Sequence, residues 1–362
     1  MRSIAFIIPN LQMGGAEKAL LTLANLWVET ADITIITFDS GKTFFKIDER
    51  IKIVPLHTTA NSMSFLSPLV NAVKRYRLLP ETIKKISPDV TIPFMDTSIV
   101  WTFFSRFYTK VPLVMVFQVT PTQSVMRSSF RLLIKKLYKK ADAAVMLTYD
   151  MEAVFNRMNI ALPAKKFVIP NPLTDDIIFK EDLPREDVIL AVGRLADQKQ
   201  FDLLIKMYYK LQPTHWVLWI VGEGENRKPL ENLIEGYKLQ NKVILWGAQK
   251  NVSKFYAGSK IFAMPSAFEG FPVALCEAMA NGCACIAFNC ELGPADIIEN
   301  NINGLLIEDQ NEEKFLTGLS QLMNSPEDIT RFSEKAKHFF DKVDIKKLIF
   351  KWEAAVEEVI RK

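Results

Sequence analysis

The sequence predicts an α/β protein of two doubly wound domains, on the strength of three observations. Short apolar runs rich in β-branched residues alternate with longer stretches of helical period, which is typical of parallel strands covered by helices. The chain has 362 residues, enough for two domains that each bury a core. Prolines at 169–173 and charges at 180–187 interrupt the alternation and indicate a linker, after which the pattern starts again.

The first half supplies the elements of one domain, which we place at residues 1–170. Its strands are apolar runs that end at polar or proline-containing turns, and its helices carry an apolar stripe. The predicted strands are Ile4–Ile8, Ile33–Phe38, Ile51–Pro55, Val90–Phe94, Leu113–Phe117 and Ala143–Leu147. The predicted helices are Ala16–Glu29, Leu69–Ile86, Thr97–Phe107 and Phe130–Lys140.

The second half repeats the pattern and predicts a second domain at residues 171–344, followed by a C-terminal helix at 345–362. The predicted strands, with helices between them, are Val188–Val192, Trp216–Val221, Val243–Trp246, Ile261–Met264, Ala284–Phe288 and Leu305–Ile307. The C-terminal helix is amphipathic, and its apolar side consists of Leu348, Trp352, Ala355, Val356 and Val359.

Charge is distributed unevenly over the two halves. The whole chain carries +4, but residues 1–170 carry a net +10 and the remainder −6. A composition of 49% hydrophobic and 24% charged residues excludes a disordered chain. The basic half predicts an anionic partner, either a membrane surface or nucleic acid.

The sequence predicts a cytoplasmic protein. The apolar run Ile4–Ile8 is too short for a signal peptide. The longest apolar stretch, Ile99–Phe117, is interrupted by Arg106 and Lys110 and does not reach the length of a spanning helix. Export and a transmembrane anchor are therefore not expected.

The four cysteines all lie between Cys276 and Cys290 and form no CxxC pair, so we expect reduced, buried thiols and no zinc site. The chain also lacks an Asp-x-Asp pair, which commonly holds a metal beside a nucleotide sugar. We therefore expect no cofactor and no metal.

Two glycines, Gly14 and Gly15, follow the first predicted strand and precede a helix. Bare backbone N–H groups at a helix N-terminus can approach a phosphate. Alternatively, the glycines are needed only for the conformation of the tight turn and bind no ligand.

A second turn, Gly193-Arg194-Leu195-Ala196-Asp197-Gln198-Lys199, follows a strand of the second domain. Open α/β sheets bind ligands at the carboxyl ends of their strands, and the cations Arg194 and Lys199 there suit a diphosphate. The alternative is that both are solvated surface charges. Gly222 and Gly224 form a similar turn after the next strand, which could be purely structural.

The segment from Glu269 to Glu277 is the most informative. Gly270, Phe271 and Val273 can offer N–H groups at the start of a helix, where Pro272 fits the first turn. Glu277 lies about two turns into that helix on an apolar face, which suits a ribose contact better than a buried bare charge. A solvated helix glutamate remains the alternative.

In this order the motifs resemble family 4 glycosyltransferases, retaining enzymes of the GT-B fold, in which two Rossmann-like doubly wound domains face each other across a cleft. The similar enzymes are bacterial ones that build surface polysaccharides, including lipopolysaccharide, or lipid-linked oligosaccharides. The motifs are Gly14-Gly15-Ala16-Glu17, Pro170-Asn171, Gly193-Arg194 with Lys199, Gly222-Glu223-Gly224, Glu269 to Glu277, Gly293-Pro294 and Asn303-Gly304.

The resemblance implies a role for each site residue. Arg194 and Lys199 hold the donor diphosphate, and Glu277 holds the ribose. Glu269 and the N–H groups of Gly270 and Phe271 bind the transferred sugar. The remaining donor-binding positions are Gly15, Gly193, Gly222, Gly224, Pro272 and Val273. The resemblance also implies that the C-terminal helix packs back toward the first domain.

One position departs from the family pattern. Members commonly carry a histidine after the fourth or fifth strand of the first domain, and here Gln118 stands at that place. None of His57, His215 and His338 fits the role. The Gln118 amide could still hydrogen-bond the sugar.

A basic amphipathic stretch in the first domain predicts contact with an anionic membrane surface. The alternative is an ordinary surface helix that covers the core and turns its charged side to solvent. The cations at helical spacing are Arg127, Arg131, Lys135, Lys136, Lys139 and Lys140.

Together these features predict a retaining glycosyltransferase that moves a hexose or N-acetylhexosamine from a nucleotide diphosphate sugar, with UDP favoured, to a lipid-linked saccharide. It would be associated peripherally with the inner face of the cell membrane. The alternatives are a GT-B nucleotide-sugar epimerase and a non-catalytic nucleotide-sugar-binding protein. We do not expect nucleic-acid binding, because the sequence of the basic first domain lacks the motifs of known nucleic-acid-binding folds.

Overall fold

The structure is a computed structural model that describes residues 2–12, 14–59, 67–119, 137–181 and 183–361. Every strand pairing among these residues is parallel. The chain divides into two units. The first contains 1–172 and 345–362, and the second contains 173–344. The first unit is therefore built from two separate stretches of chain.

The first unit contains two sheets of order β3-β2-β1-β4 and β5-β6-β7. Single parallel bridges, Thr91 to Leu113 and Phe94 to Val116, join β4 to β5. The strands are β1 (Arg2–Ile8), β2 (Ala31–Thr37), β3 (Lys52–Pro55), β4 (Val90–Pro93), β5 (Val114–Val116), β6 (Ala143–Met146) and β7 (Lys166–Val168).

Helices cover both faces of the larger sheet. The helices of the first unit are α1 (Gly15–Trp27), α2 (Ser67–Ile86), α3 (Asp96–Thr109), α4 (Asp150–Arg157) and α13 (Ile345–Ile360), and a 3-10 turn spans Tyr138–Lys140. Helices α1 and α13 pack on one face. Residues of α2 and α3 pack on the other, against alternate residues of β1 and β2.

The C-terminal helix α13 completes the core of the first unit. All five residues of its predicted apolar side are buried. The Trp352 ring stacks on Phe94 and meets Trp27 edge to face, each at a centroid distance of 6.3 Å. The predicted packing of this helix on the first domain is therefore confirmed.

The second unit has a single six-stranded sheet of order β10-β9-β8-β11-β12-β13. Its strands are β8 (Glu186–Val192), β9 (Val217–Val221), β10 (Val243–Gly247), β11 (Ser259–Met264), β12 (Ala284–Asn289) and β13 (Gly304–Glu308). Because β9 and β11 flank β8 on opposite sides, the winding direction reverses between β8 and β11, where such sheets bind ligands.

Helices also cover both faces of this sheet. They are α5 (Phe201–Leu211), α6 (Arg227–Gly236), α7 (Ser253–Gly258), α8 (Val273–Ala280), α9 (Pro294–Ile297), α10 (Glu312–Asn324), α11 (Pro326–Lys337) and α12 (Phe340–Val343). Helices α5, α6, α10 and α11 share one core. Helices α7 and α8 pack against β8, β11 and β12. In the part of the chain described, no helix is long and apolar enough to cross a membrane.

Candidate functional site

The loops that follow β8 and β11 meet at the point where the sheet reverses its winding. The β8 loop carries Arg194 and Lys199, and the β11 loop carries Glu269. The Ala267 N–H donates to the Gln198 carbonyl at 2.8 Å, and the Gln198 side-chain amide donates to the Phe268 carbonyl at 2.7 Å. These two bonds fix the loops to each other.

Lys199 and Glu269 form an ion pair at this place. The Lys199 Nζ lies 2.6 Å from Glu269 Oε1, and the side chains are 18% and 6% exposed. A methyl group added at Gly193 would lie 3.0 Å from Lys199 Cε, so the lysine stem passes directly over this glycine. The 3-10 turn Asp197–Lys199 directs the lysine back across the strand end. A cation and a carboxylate are thus held together in a largely desolvated position.

Gly222 and Gly224 allow the β9 loop to pack against the β8 loop. A Cβ on Gly222 would lie 1.9 Å from the Gly193 carbonyl oxygen, and one on Gly224 would lie 2.4 Å from that of Leu195. Gly222 also has a φ of 145°, which L-residues rarely adopt. The packing alone accounts for both glycines.

Arg194 extends into solvent. Its guanidinium pairs with Glu225 at 3.1 Å, and the two side chains are 68% and 55% exposed. An exposed ion pair of this kind contributes little to stability. The arginine can therefore exchange Glu225 for another anion at small cost.

The N-terminus of α8 presents backbone N–H groups beside Glu269. No side chain caps this helix. Among the described residues, the N–H groups of Gly270 and Phe271 have no hydrogen-bond partner. The N–H of Val273 was expected to be available, but it donates to the Phe271 carbonyl at 2.9 Å because the chain makes a tight turn at Pro272.

Gly293 supports this turn from the following loop. It has a φ of 98°, and a Cβ there would lie 2.4 Å from Pro272 Cδ. The Gly293-Pro294 motif therefore has a structural function, because it lets the loop after β12 press against the start of α8.

Glu277 is the fifth residue of α8, in its second turn, and is almost fully buried. Tyr256 of α7 is completely buried, and its Oη donates to Glu277 Oε2 at 2.8 Å. Burial and the neighbouring Glu277 raise the pKa of Tyr256 well above its usual range, so the phenol stays protonated as a donor. Sequence reasoning missed Tyr256, since nothing local connects residues on two different helices.

The cysteines are free and buried, as expected. Cys290 lies near the Lys199–Glu269 pair: burial and then the Glu269 charge raise the pKa of its thiol to about 12, and Lys199 acts in the opposite direction. No group of three or more His, Cys, Asp or Glu side chains in the described ranges is arranged to hold a metal.

In the first unit, the carboxylate of Glu17 lies against the glycine turn that precedes α1. Glu17 is buried and folds back over the turn, because a Cβ on Gly14 would lie 2.2 Å from Glu17 Oε2. Burial raises the pKa of Glu17, opposed by a hydrogen bond from its own backbone N–H. Gly15 is exposed at the start of the helix. The motif contained Glu17, but its orientation was not predictable from the sequence.

Gln118 follows β5 and is buried against Asn171. The Asn171 Nδ2 donates to Gln118 Oε1 at 2.9 Å, and Gln118 Nε2 donates to Asn171 Oδ1 at 3.2 Å. Asn171 belongs to the Pro170-Asn171 motif, which gave no indication of this partner.

The predicted basic stretch lies mostly outside the described residues. Arg127, Arg131, Lys135 and Lys136 belong to the part that is not described. Lys139 and Lys140 are exposed in the 3-10 turn Tyr138–Lys140.

Known proteins resemble this chain in sequence along its whole length. The family model "Glycosyl transferases group 1" matches residues 174–339. An uncharacterized glycosyltransferase of Haemophilus influenzae is 30% identical over 97% of this chain and 99% of its own. A second relative, from Campylobacter jejuni, is 25% identical over 99% of both chains. It is named GalNAc-alpha-(1->4)-GalNAc-alpha-(1->3)-diNAcBac-PP-undecaprenol alpha-1,4-N-acetyl-D-galactosaminyltransferase.

Solved structures share the fold. The crystal structure of HepE from Anabaena in complex with UDP-glucose has a TM-score of 0.79 at 17% identity and covers 99% of this chain and 100% of its own. This likeness, with the parallel sheets of two Rossmann-like units, confirms the predicted GT-B fold class.

Proposed function

The chain belongs to the group 1 glycosyltransferases, and from that premise we propose that it is a retaining enzyme that uses a nucleotide diphosphate sugar and a lipid-linked saccharide. The transferred group is a hexose or an N-acetylhexosamine. The observation that carries the proposal is the Lys199–Glu269 pair at the winding reversal of the second unit, beside the uncapped N-terminus of α8.

The arrangement suits a donor with two negative phosphates. Lys199 is held in place by the loop contacts, and Arg194 can leave its exposed partner Glu225. We assign both cations to the diphosphate, where they would neutralise the leaving group without a metal. Preorganised charge of this kind commonly supplies the largest part of the rate enhancement.

The neighbouring groups suit the sugar and the ribose. The N–H groups of Gly270 and Phe271, which have no partner in the described part of the chain, and the Glu269 carboxylate can bind hydroxyl groups of the transferred sugar. The Glu277 carboxylate accepts from Tyr256, and a carboxylate of this kind suits a ribose hydroxyl.

The reaction breaks the bond between the sugar anomeric carbon and the donor phosphate oxygen. It forms a bond from that carbon to the acceptor hydroxyl oxygen. The hydroxyl proton passes to the departing phosphate oxygen, whose negative charge Arg194 and Lys199 stabilise. Attack from the face that the phosphate leaves retains the anomeric configuration.

The acceptor and the donor base are inferred from similar proteins. The Campylobacter relative is named for an acceptor linked through a diphosphate to undecaprenol, which supports a lipid-linked saccharide in polysaccharide synthesis. HepE was crystallised with UDP-glucose, which supports UDP over GDP. A lipid-linked acceptor also fits a position at the inner membrane face, with the basic stretch 127–140 on the anionic surface.

Donor binding tests the proposal directly. The purified full chain is screened by calorimetry and thermal unfolding against UDP-, GDP- and ADP-sugars. A true donor at about a hundred times its dissociation constant stabilises the protein by about 2.7 kcal/mol. Lys199→Ala should abolish this stabilisation. Lys260→Ala is the matched control, because Lys260 also pairs with an acid, Asp187, in the second unit.

Turnover is then measured with the donor that binds and undecaprenyl-diphosphate-linked saccharides, and the product anomer is determined by NMR. The proposal is wrong if no nucleotide sugar binds, or if Lys199→Ala binds as well as Lys260→Ala. Interconversion of the donor sugar without transfer would identify an epimerase instead. Saturable binding without any turnover would identify a binding protein.

A further inference from the structure

Two neighbouring helices of the first unit leave an unusual amount of apolar surface uncovered. Of the fourteen large apolar side chains that are exposed in the described residues, seven lie on α2 and α3. We call six of them, all except Leu78, the α2–α3 face. They are Leu69, Val70, Val73, Tyr76, Phe107 and Tyr108.

Both helices are firmly anchored, so this exposure is a feature of the packed fold. Leu79 and Ile83 of α2 are completely buried in the core beneath β1 and β2. The Tyr76 and Tyr108 hydroxyls hydrogen-bond to each other, and their rings meet edge to face at 5.8 Å. The two helices therefore present their outer side chains as one surface.

An apolar groove runs within this face. Its volume is about 330 Å³, and its walls are Ala72, Val73, Tyr76, Trp101 and Phe104. The groove opens to solvent, and among the residues that the structure describes no charged side chain lines it. A groove of this kind suits hydrocarbon, because its walls are aliphatic and aromatic side chains.

Cations flank the apolar residues at helical spacing. Lys74 follows Val70 by four residues and Arg77 follows Val73 by four, so each cation neighbours an apolar side chain on the helix surface. Lys110 ends α3. All three are exposed, and none has an acidic partner within the described ranges. Residues 67–80 contain no acid, and Glu81 follows them.

We propose that the α2–α3 face docks on an anionic lipid bilayer, with its apolar side chains inserted among the acyl chains and Lys74, Arg77 and Lys110 at the headgroups. Tyrosine and tryptophan beside lysine and arginine are typical of residues at a membrane interface. The inference extends the proposed function, since an enzyme at this surface would meet a lipid-linked acceptor. It rests on residues other than those of the basic stretch 127–140.

The three exposed cations favour an anionic bilayer over a protein as the partner of this face. Each cation near an anionic membrane strengthens binding about fivefold, whereas an apolar protein partner would gain nothing from unpaired lysines at its edge. A second copy of this chain would also bring the same three cations against each other.

Vesicle binding of the full chain tests the inference. Flotation is measured with phosphatidylcholine vesicles with and without phosphatidylglycerol. We expect binding only to the anionic vesicles. The double variant Lys74→Gln/Arg77→Gln should weaken it about thirtyfold, and Val73→Ser/Phe107→Ser about tenfold or more. Phe350→Ser is the matched control, because Phe350 is equally exposed on α13, which packs on the opposite face of the sheet.

Several outcomes would overturn the inference. The inference is wrong if the wild type binds no vesicles, or if the α2–α3 variants bind vesicles as well as the wild type does. It is also wrong if Phe350→Ser loses as much vesicle binding as the α2–α3 variants. Dimerisation in light scattering that Phe107→Ser abolishes, without vesicle binding, would identify a second copy as the occupant. Donor binding is measured on every variant. Its absence in the wild type, with vesicle binding intact, would contradict the proposed function and leave this inference standing.

Discussion

The side-chain amides of Gln118 and Asn171 hydrogen-bond to each other in both directions, at 2.9 and 3.2 Å, and both residues are buried. Gln118 stands at the position where the family resemblance led us to expect a histidine. An imidazole cannot donate and accept side by side as an amide does. The pair therefore ties the loop after β5 to the Pro170-Asn171 segment in a way that a histidine would not reproduce.

The amide pair predicts a specific stability pattern. Gln118→Leu leaves the buried Asn171 amide without its partner and should lower the free energy of unfolding by about 1–3 kcal/mol. Adding Asn171→Leu should restore part of this loss, because both polar groups are then removed. Urea unfolding of the two single variants and the double variant gives the coupling energy. Strictly additive losses would mean that the pair contributes nothing.

Tyr256 should act on the donor through Glu277. Tyr256→Phe removes one bond that orients this carboxylate, so we expect the donor KM to rise about five- to tenfold with a smaller change in kcat. Tyr208→Phe is the control, since its buried hydroxyl donates to the Trp216 carbonyl at 2.6 Å in the same unit. Equal KM values for the two variants would show that the Tyr256 hydroxyl is only structural.

The close approach of two strand-end loops makes Gly222 irreplaceable. Gly222→Ala places a methyl group on the Gly193 carbonyl oxygen and forces alanine to a φ of 145°, so we expect a loss of at least about 2 kcal/mol. Gly236→Ala has no atom within 4 Å of the new methyl group. It should leave the thermal midpoint unchanged or raise it slightly. A tolerated Gly222→Ala would contradict the packing described.

Glu17 predicts a dependence of stability on pH. Burial raises its pKa in the folded state, so the folded protein binds the proton more tightly than the unfolded chain. The ordinary pKa of a glutamate is 4.5. As the pH rises from that value through the higher pKa of the folded state, the buried carboxylate loses its proton and the free energy of unfolding falls. Glu17→Gln should be more stable than wild type at neutral pH, and the difference should shrink toward pH 4.5. Thermal unfolding of both proteins across this range decides it, and a constant difference would refute it.

Sequence periodicity was sufficient for most of the fold, because a buried parallel strand needs a continuous apolar run. The predicted strand Val188–Val192 lies within β8, which begins two residues earlier, and all five residues predicted for the apolar side of α13 are buried. Strand β7 was missed, since it has only three residues and none of Lys166, Phe167 and Val168 is fully buried. Such a short edge strand leaves little periodic signal.

The site was less predictable than the fold, because its contacts join distant parts of the chain. Motif order identified Lys199 and Glu269 separately, but their ion pair spans seventy positions. The Tyr256–Glu277 bond joins two helices, and no local pattern encodes it. Glycine spacing indicated a turn at Gly222, whereas its contact with the Gly193 carbonyl depends on the pairing of β8 with β9.

The return of the chain to the first unit has a consequence for how the protein is made. The ribosome produces residues 1–172 first, but their core lacks Leu348 and Trp352 until α13 has been synthesised. Residues 173–344 are continuous and can fold while the earlier part still waits for its final helix. During this interval Phe94 and Trp27 lack the Trp352 ring, so translation order makes the unit that begins first the one that is finished last.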